Sequence, residues 1–296
     1  MSPIRLCCLL IFCLFFNGIS AQIRPYRYDF AVCAIFQNEA PYLKEWIEYY
    51  KILGAQHFYL YNNFSEDHYL DVLQPYIDDG IVELVDWEVP IFQYFGQKRA
   101  YMNAINKTQG IVKWLAILDI DEFIVPKQND TIPEFLSDFD QEGIAGIGIN
   151  WQMFGTSFVQ KIEEGQLLTE MLTLKAQEDH NENIHIKSIV RPEYVVEPPH
   201  VHNFHYKSGY FQVNANMEQF DGPRAPYIAV DKIQINHYWT KDETFFFSVK
   251  IPRRLSWGDS PETIKKRLDA LNQIEDTSIS RFLLPLRQGV FVESPE

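Results

Sequence analysis

Three carboxylates follow an apolar segment in the middle of the chain. The segment WLAIL ends at Leu118, and Asp119, Asp121 and Glu122 come directly after it. Because neighbouring carboxylates repel one another, such a group needs water or a cation to compensate its charge. Mg²⁺ and Mn²⁺ prefer oxygen ligands of this kind and can also neutralise the phosphates of a nucleoside diphosphate. The pattern therefore predicts a divalent-cation site at this strand end, with a helix N-cap or a solvated loop as the alternative.

Two chemistries use an Asp-x-Asp string at the end of an apolar strand. Phosphatases of the haloacid dehalogenase type use the first carboxylate, here Asp119, as a nucleophile. That alternative is disfavoured because a long βα pattern precedes the string and because Phe123 stands where the motif has Thr or Val. The other chemistry is glycosyl transfer from a nucleotide sugar, in which the aspartates hold a metal on the diphosphate. An EF-hand is excluded, since residues 123–126 lack the glycine and the oxygen ligands of that loop.

The first half of the chain must position these carboxylates, and it alternates short apolar runs with amphipathic stretches. This alternation is typical of βαβ units. It predicts strands at 31–36, 57–62, 81–87 and 112–120. The first helix between them is predicted at 41–53, the second ends at about residue 78, and the third is at 97–106. Ser65 and Asp67 can cap the second helix. The fourth strand is apolar on both faces, as expected for a central parallel strand, and α/β folds bind ligands at the carboxyl ends of such strands.

The second half of the chain has a less regular pattern. It predicts strands at 144–154 and 186–196 and a helix around 261–274, and Pro198 and Pro199 exclude regular structure from the loop at 197–206. We find no internal repeat and no interdomain linker. The sequence therefore predicts one α/β domain over residues 28–258, with a mainly parallel central sheet flanked by helices and an elaborated C-terminal half. A C-terminal helical tail is predicted at 259–296.

Composition excludes several classes of protein. The chain has 296 residues, of which 46% are hydrophobic, which is enough to bury a sizeable core. It carries 26 Lys and Arg against 40 Asp and Glu, giving a net charge of −14. A protein that binds the phosphate backbone needs a basic face, so nucleic acid is not expected as a partner.

The amino terminus has the pattern of an export signal. An apolar run at 6–16 follows Arg5, and a small-residue cleavage site ends at Ala21. The pattern predicts a signal peptide over residues 1–21, or alternatively a signal anchor that holds the protein in a membrane through residues 4–19. The protein is thus expected to be exported, with membrane anchoring as the alternative. Three of the four cysteines lie in this segment, so a mature chain keeps only Cys33, which is expected to be a core residue.

The chain resembles glycosyltransferase family 92 and its bacterial relatives over residues 30–255. The resemblance rests on six strings in the same order: FQNEAPYLKEWIEYYKILGAQHFYLYNNFSED (36–67), QKRAYMNAI (97–105), WLAILDIDEFIVP (114–126), WQMFGTS (151–157), IKSIVRP (186–192) and NHYWTKDETFFFSVKIPRR (236–254). It implies the GT-A fold, which is the fold of nucleotide-diphospho-sugar transferases. It also implies an inverting transfer of a hexose, often galactose from UDP-galactose, to a glycan hydroxyl with the help of Mn²⁺ or Mg²⁺.

Under this resemblance, the donor site lies where the strands of the first half end. Asn38 and Glu39 follow the first strand, where they can reach the base or ribose or, alternatively, cap the next helix. Asn62 and Asn63 follow the second strand, and Asp86 ends the third, where it can accept from a uracil N–H or lie in solvent. The other donor-binding residues predicted are Gln97, Arg99, Asp119, Lys241 and Lys250.

The resemblance also implies a set of metal ligands. Asp121 is the first of them, Asp119 reaches the ribose or the metal through water, and His237 in the NHY string is the third, distant ligand. His200 and His202 are rivals for that third position.

An inverting transfer needs a general base that deprotonates the acceptor hydroxyl. The carboxylates predicted for this role are Asp242, Glu243, Glu178 and Asp179, and no spacing rule selects one of them. A protein that kept the fold but only binds glycans is the remaining alternative, since fold alone does not determine function.

Overall fold

The computed structural model describes residues 26–90 and 94–292. The predicted signal segment and the three cysteines within it lie outside the described residues, so export and membrane anchoring stay predictions. Cys33 is fully buried in the core, as expected. Among the described helices, none has the length and apolar character needed to cross a membrane.

The first half of the chain forms the predicted βα units. Its elements in order are β1 (Tyr28–Phe36), α1 (Ala40–Ile52), β2 (Phe58–Asn62), α2 (Tyr69–Asp78), β3 (Val82–Asp86), α3 (Phe95–Thr108) and β4 (Val112–Ile117). The four strands pair in parallel in the order β3-β2-β1-β4. Their carboxyl ends therefore lie at one edge of the sheet.

The second half extends the same sheet with mixed pairing. Its elements up to the last long strand are β5 (Glu122–Pro126), α4 (Ile132–Ser137), β6 (Ile144–Met153), α5 (Leu168–Met171), β7 (Leu174–Lys175), β8 (Ile186–Val190), β9 (Val195–Glu197), β10 (His205–Tyr206), β11 (Phe211–Asn214) and β12 (Ile233–His237). The sheet continues from β4 in the order β8-β6-β12-β5, with β11 also paired to β6. Within this sheet, as the structure describes it, β8 and β5 run antiparallel to their neighbours and the other pairs are parallel, so the mainly parallel α/β sheet is confirmed.

Two predicted strands end at least three residues earlier than the sequence indicated. The fourth strand stops at Ile117, and the chain turns through Asp119 and Asp121 into β5, which pairs with β12. The strand predicted at 186–196 is divided after Val190, because Pro192 has no N–H to donate to a ladder.

The predicted capping of the second helix is wrong. The residue before α2 is His68, and its side chain makes no capping hydrogen bond. Ser65 Oγ instead accepts from the N–H of Asn38 at 2.9 Å, and Asp67 Oδ2 accepts from the N–H of Ala40 at 2.8 Å. These side chains therefore fix the start of α1, the helix next to the acidic turn.

The C-terminal segment packs on the domain. It comprises α6 (Glu243–Phe245), a π-helical turn (Phe246–Lys250), α7 (Ile251–Ser256), α8 (Pro261–Leu271), β13 (Ile274–Glu275) and α9 (Leu283–Phe291). β13 pairs antiparallel with β7, and α9 packs against α1. Residues 259–292 thus share the main core, while the domain boundary at 258 stays a prediction.

Two leucines of α9 test this packing. Leu286 is fully buried, whereas Leu284 is 70% exposed. We expect Leu286→Ala to lower the free energy of unfolding by about 2–5 kcal/mol, because it removes buried methyl groups and leaves a cavity. Leu284→Ala is the matched control, with an expected change within about 0.5 kcal/mol. Urea unfolding followed by fluorescence measures both, and equal effects would show that α9 does not pack as described.

Candidate active site

The turn between β4 and β5 is fixed by hydrogen bonds within it and beneath it. The N–H of Asp119 donates to Glu122 Oε2 at 2.8 Å, and the N–H of Glu122 donates to Asp119 O at 3.2 Å. Trp46 Nε1 and Tyr50 Oη both donate to the carbonyl of Glu122, at 3.1 and 3.0 Å. Since these two aromatic side chains come from the core face of α1, the sheet and the helix together set the position of Asp121.

Asp121 meets a histidine and a lysine at the end of the sheet. His237 is the last residue of β12 and pairs in register with Glu122, which places His237 Nε2 3.5 Å from Asp121 Oδ1. Lys250 Nζ lies 3.5 Å from the other carboxylate oxygen. All three side chains are buried. Burial alone would raise the pKa of Asp121, but the charges of Lys250 and His237 outweigh it and hold the pKa well below its usual range.

Asp119 is held by different partners. Its Oδ2 lies 2.9 Å from Lys187 Nζ, and its Oδ1 accepts from Gln97 Nε2 and Tyr101 Oη, each at 3.3 Å. Gln97 was predicted to bind the donor, and it lies beside the acidic turn. Within residues 26–90 and 94–292, no three acidic, histidine or cysteine side chains converge as a metal cluster.

The pair formed by Asp121 and His237 fits a divalent cation whose other ligands are phosphate oxygens and water. Its carboxylate oxygens suit Mn²⁺ or Mg²⁺, and Mg²⁺ in nucleotide sites is held by one or two carboxylates together with phosphates and water. The imidazole nitrogen of His237 is more typical of transition-metal sites and therefore favours Mn²⁺ over Mg²⁺. His237 Nδ1 is buried without a hydrogen-bond partner, so the ring is not committed to another protein group through that atom. Asp121 and His237 are therefore the residues that could hold the metal, with Asp119 engaged by Lys187.

The side-chain amides of the last residue of β2 and of the next residue donate to protein groups. Asn62 Nδ2 donates to Asp86 Oδ1 at 3.0 Å, and Asn63 Nδ2 donates to the carbonyls of Trp87 and Val89 at 2.7 and 2.9 Å. Both asparagines are buried, while Asp86 is exposed at the end of β3. The asparagines therefore shape the edge of the predicted nucleoside site and leave Asp86 as its accessible carboxylate.

Glu39 and Lys241 join the start of α1 to the segment after β12. Lys241 is fully buried and forms an ion pair with Glu39. Its Nζ lies 3.8 Å from the ring centroid of Tyr42 and 4.3 Å from that of Phe245. Burial raises the pKa of Glu39 although Lys241 opposes the shift. Asn38 lies beside them at a φ of 56°, and its side chain accepts from the N–H of Glu66.

The predicted general bases lie in different surroundings. Asp242 is buried and caps α6, since its Oδ1 accepts from the N–H of Phe245 at 2.7 Å and its Oδ2 from that of Ile162 at 3.0 Å. Glu243 begins α6, whereas Glu178 and Asp179 are exposed after β7. Arg99 is also exposed and lies over the ring of Phe95 at 5.4 Å. The identity of the base stays a prediction among these four carboxylates.

Sequence reasoning missed Lys187, although it contacts the acidic turn directly. Its side chain is 1% exposed, and its Nζ lies 3.3 Å from Glu122 Oε2 in addition to Asp119. Burial would lower the pKa of Lys187, but Asp119 and Glu122 raise it well above its usual value. Burial raises the pKa of Glu122 to about 7 against the charge of Lys187. The signal in the sequence was a lysine inside the apolar string IKSIV.

A row of rings extends from His237. Trp151 lies 4.4 Å from His237 and 4.9 Å from His202, and His202 lies 4.9 Å from His200, measured between ring centroids. His202, a rival candidate for the metal, has its Nδ1 2.8 Å from the carbonyl of Ile186. His237 is thus the histidine of this row that contacts Asp121.

The fold and the site define a class of protein. A mainly parallel α/β sheet with an acidic turn at the carboxyl end of a central strand is the GT-A arrangement of nucleotide-diphospho-sugar transferases. The sequence model of Glycosyltransferase family 92 matches residues 28–279, and the chain belongs to that family.

Curated relatives carry the same family name. A glycosyltransferase family 92 protein of Ricinus communis is 24% identical over 64% of this chain and 34% of its own length, and one of Oryza sativa subsp. japonica is 29% identical over 64% and 32%. The beta-1,4-galactosyltransferase galt-1 of Caenorhabditis elegans is 28% identical over 59% of this chain and 43% of its own. The chain thus spans about a third of the length of the first two relatives.

Two solved structures align with about half of this chain, at lower sequence identity than the curated relatives. Residues 1–349 of S. aureus TarS align with a TM-score of 0.36 and 12% identity over 55% of this chain and 47% of that one. The mannosyltransferase PcManGT of Pyrobaculum calidifontis, in complex with GDP-Man and Mn²⁺, aligns with a TM-score of 0.35 and 13% identity over 56% and 45%.

Proposed function

We propose that the protein is a metal-dependent glycosyltransferase that moves a hexose from a nucleotide sugar to a glycan hydroxyl with inversion. The observation that carries the proposal is the convergence of Asp121, His237 and Lys250 at the carboxyl end of the sheet. Membership of family 92 supports the reaction class. The galactosyltransferase among the relatives supports galactose as the sugar, with UDP-galactose as the donor.

Each part of the site has a role in this reaction. Asp121 and His237 would hold Mn²⁺ or Mg²⁺, which stabilises the charge of the leaving diphosphate when bound. Lys250 brings a second positive charge to the same carboxylate, and burial lowers its pKa. Asp119, fixed by Lys187 and Gln97, presents a carboxylate for the ribose. Lys241 keeps the start of α1 against the segment that carries Lys250.

The proposal also includes an acceptor and a location for the protein. A glycan is the acceptor, and the side chain of Tyr94, which is 53% exposed, offers a surface on which a sugar ring can stack. Trp151 is buried and packs against His202 and His237. Export, or anchoring through residues 4–19, is proposed from the apolar pattern of the amino terminus.

Thermal melting with nucleotides tests the proposal. We expect UDP with Mn²⁺ to raise the melting temperature of the chain from Gln22 onward, more than UDP alone, GDP or CDP. A ligand at 100 times its Kd adds about 2.7 kcal/mol of stability, which is readily measured. His237→Gln should weaken the Mn²⁺-dependent shift by about tenfold or more in apparent affinity.

His205→Gln is the control for this experiment, because His205 is exposed. It should leave the shift unchanged. A stable chain that shows no shift with any nucleotide, but binds sugars, would instead indicate a glycan-binding protein of the same fold.

A further inference from the structure

We propose that Lys187 is a positioning residue that fixes the acidic turn, and with it Asp121, for binding of the nucleotide and metal. The proposal rests on the proposed function of the site. Lys187 lies on β8, two residues before Ile189, which pairs with Ala116 of β4. Because β8 runs antiparallel to β4, Lys187 comes to lie beside the first residues after β4.

The contacts of Lys187 close a ring with the turn. Its Nζ lies 2.9 Å from Asp119 Oδ2 and 3.3 Å from Glu122 Oε2. The N–H of Asp119 donates to the same Glu122 Oε2 at 2.8 Å, and the N–H of Glu122 donates to the carbonyl of Asp119 at 3.2 Å. Both ends of the turn are thus tied to one ammonium group, and Asp121 lies between them.

Charge explains why a lysine is needed here. Glu122 is fully buried, and the side chain of Asp119 is 35% exposed. The ammonium offsets the repulsion between the two carboxylates, and it also holds the partly exposed side chain of Asp119 against the turn. Without Lys187, Asp119 loses this ion pair whether or not residue 122 is charged. A purely structural alternative is that Lys187 only neutralises Glu122. That alternative predicts that removal of both charges restores a normal site.

The experiment compares Lys187→Met with the double variant Lys187→Met/Glu122→Gln. The single variant leaves a buried carboxylate uncompensated, which threatens folding, whereas the double variant removes both charges. Lys175→Met is the matched control, because Lys175 is also buried and ion-paired, at 2.8 Å from Asp276 beside β13. Calorimetry measures the Kd of UDP with Mn²⁺. Hydrogen exchange of peptides over residues 117–126 measures the order of the turn in the ligand-free chain.

We expect the double variant to melt near the wild-type temperature, to exchange faster in the turn and to bind UDP with Mn²⁺ about tenfold to a hundredfold more weakly. Lys175→Met should keep the wild-type Kd and turn exchange. If the double variant does not fold, Lys187→Arg replaces it, because arginine keeps the charge but moves the contact with Asp119. We expect the same loss of UDP affinity in Lys187→Arg, and a folded Lys187→Arg protein with the wild-type Kd would overturn the proposal.

A folded double variant with wild-type hydrogen exchange over residues 117–126 would overturn the proposal. So would a double variant that exchanges faster but binds UDP and Mn²⁺ with the wild-type Kd. An equal loss of UDP affinity in Lys175→Met would also overturn it. A wild-type chain that binds no nucleotide would refute the proposed function and, with it, the role of Lys187 in binding. The exchange comparison would then show separately whether Lys187 orders the turn.

Discussion

Asp121→Asn is expected to reduce kcat/KM for sugar transfer by about a thousandfold and to abolish Mn²⁺-dependent UDP binding. The substitution keeps the shape of the side chain but removes the charge that faces His237 and Lys250. Loss of one preorganised electrostatic partner of a transition state costs about 10²–10³ in rate, and a weakened metal site adds to this. Transfer of radiolabelled galactose from UDP-galactose to a glycan mixture measures the rate, and calorimetry measures binding.

The control for this prediction is Asp140→Asn, the same chemical change at an exposed carboxylate that pairs with Lys113. It should leave both readouts unchanged. Circular dichroism and melting show whether Asp121→Asn is folded, because it leaves Lys250 and His237 without their counter-charge. A folded Asp121→Asn protein with wild-type transfer would remove Asp121 from the metal site.

The βα units before the acidic turn could be predicted because their signals are local. The chain leaves α2 and α3 through Gly80 and Gly110, whose φ values of 68° and 69° are readily adopted by glycine. Apolar runs of strand length between such helices then identify β1 to β4. Asp119 and Asp121 could be named as site residues for the same reason, since they follow directly on the fourth run.

The parts that were missed depend on contacts between distant segments. β5 was not predicted, because it is defined by its pairing with β12, about a hundred residues later. Ser65 and Asp67 precede α2 in sequence, but they accept from the N–H groups of Asn38 and Ala40 at the start of α1, because the loops after β1 and β2 lie side by side. Lys187 lies on β8, and only the antiparallel insertion of β8 next to β4 brings it to Asp119. Such pairings leave no periodic signal in either segment.

Lys241→Met is expected to lower the free energy of unfolding and to weaken nucleotide binding with it. Lys241 is fully buried, and its partner Glu39 keeps 20% of its side chain exposed. Removal of the ammonium leaves Glu39 without a counter-charge and removes the cation from the faces of Tyr42 and Phe245. Breaking a buried ion pair costs about 3–5 kcal/mol, and partial exposure of Glu39 places the expected loss near the lower limit, at about 3 kcal/mol. Urea unfolding measures the difference.

A second substitution separates charge from packing at this position. Lys241→Met/Glu39→Gln should recover most of the lost stability, because it removes the uncompensated carboxylate while the methionine still fills the space between the two rings. Lys107→Met is the control, since Lys107 is 43% exposed in its ion pair with Glu83 and should change stability by less than about 1 kcal/mol. A single Lys241→Met variant as stable as the wild type would contradict the prediction. Lys241 joins the start of α1 to the segment that carries Lys250, so Lys241→Met should also weaken UDP binding. Lys241→Met/Glu39→Gln should regain UDP affinity only as far as it regains stability.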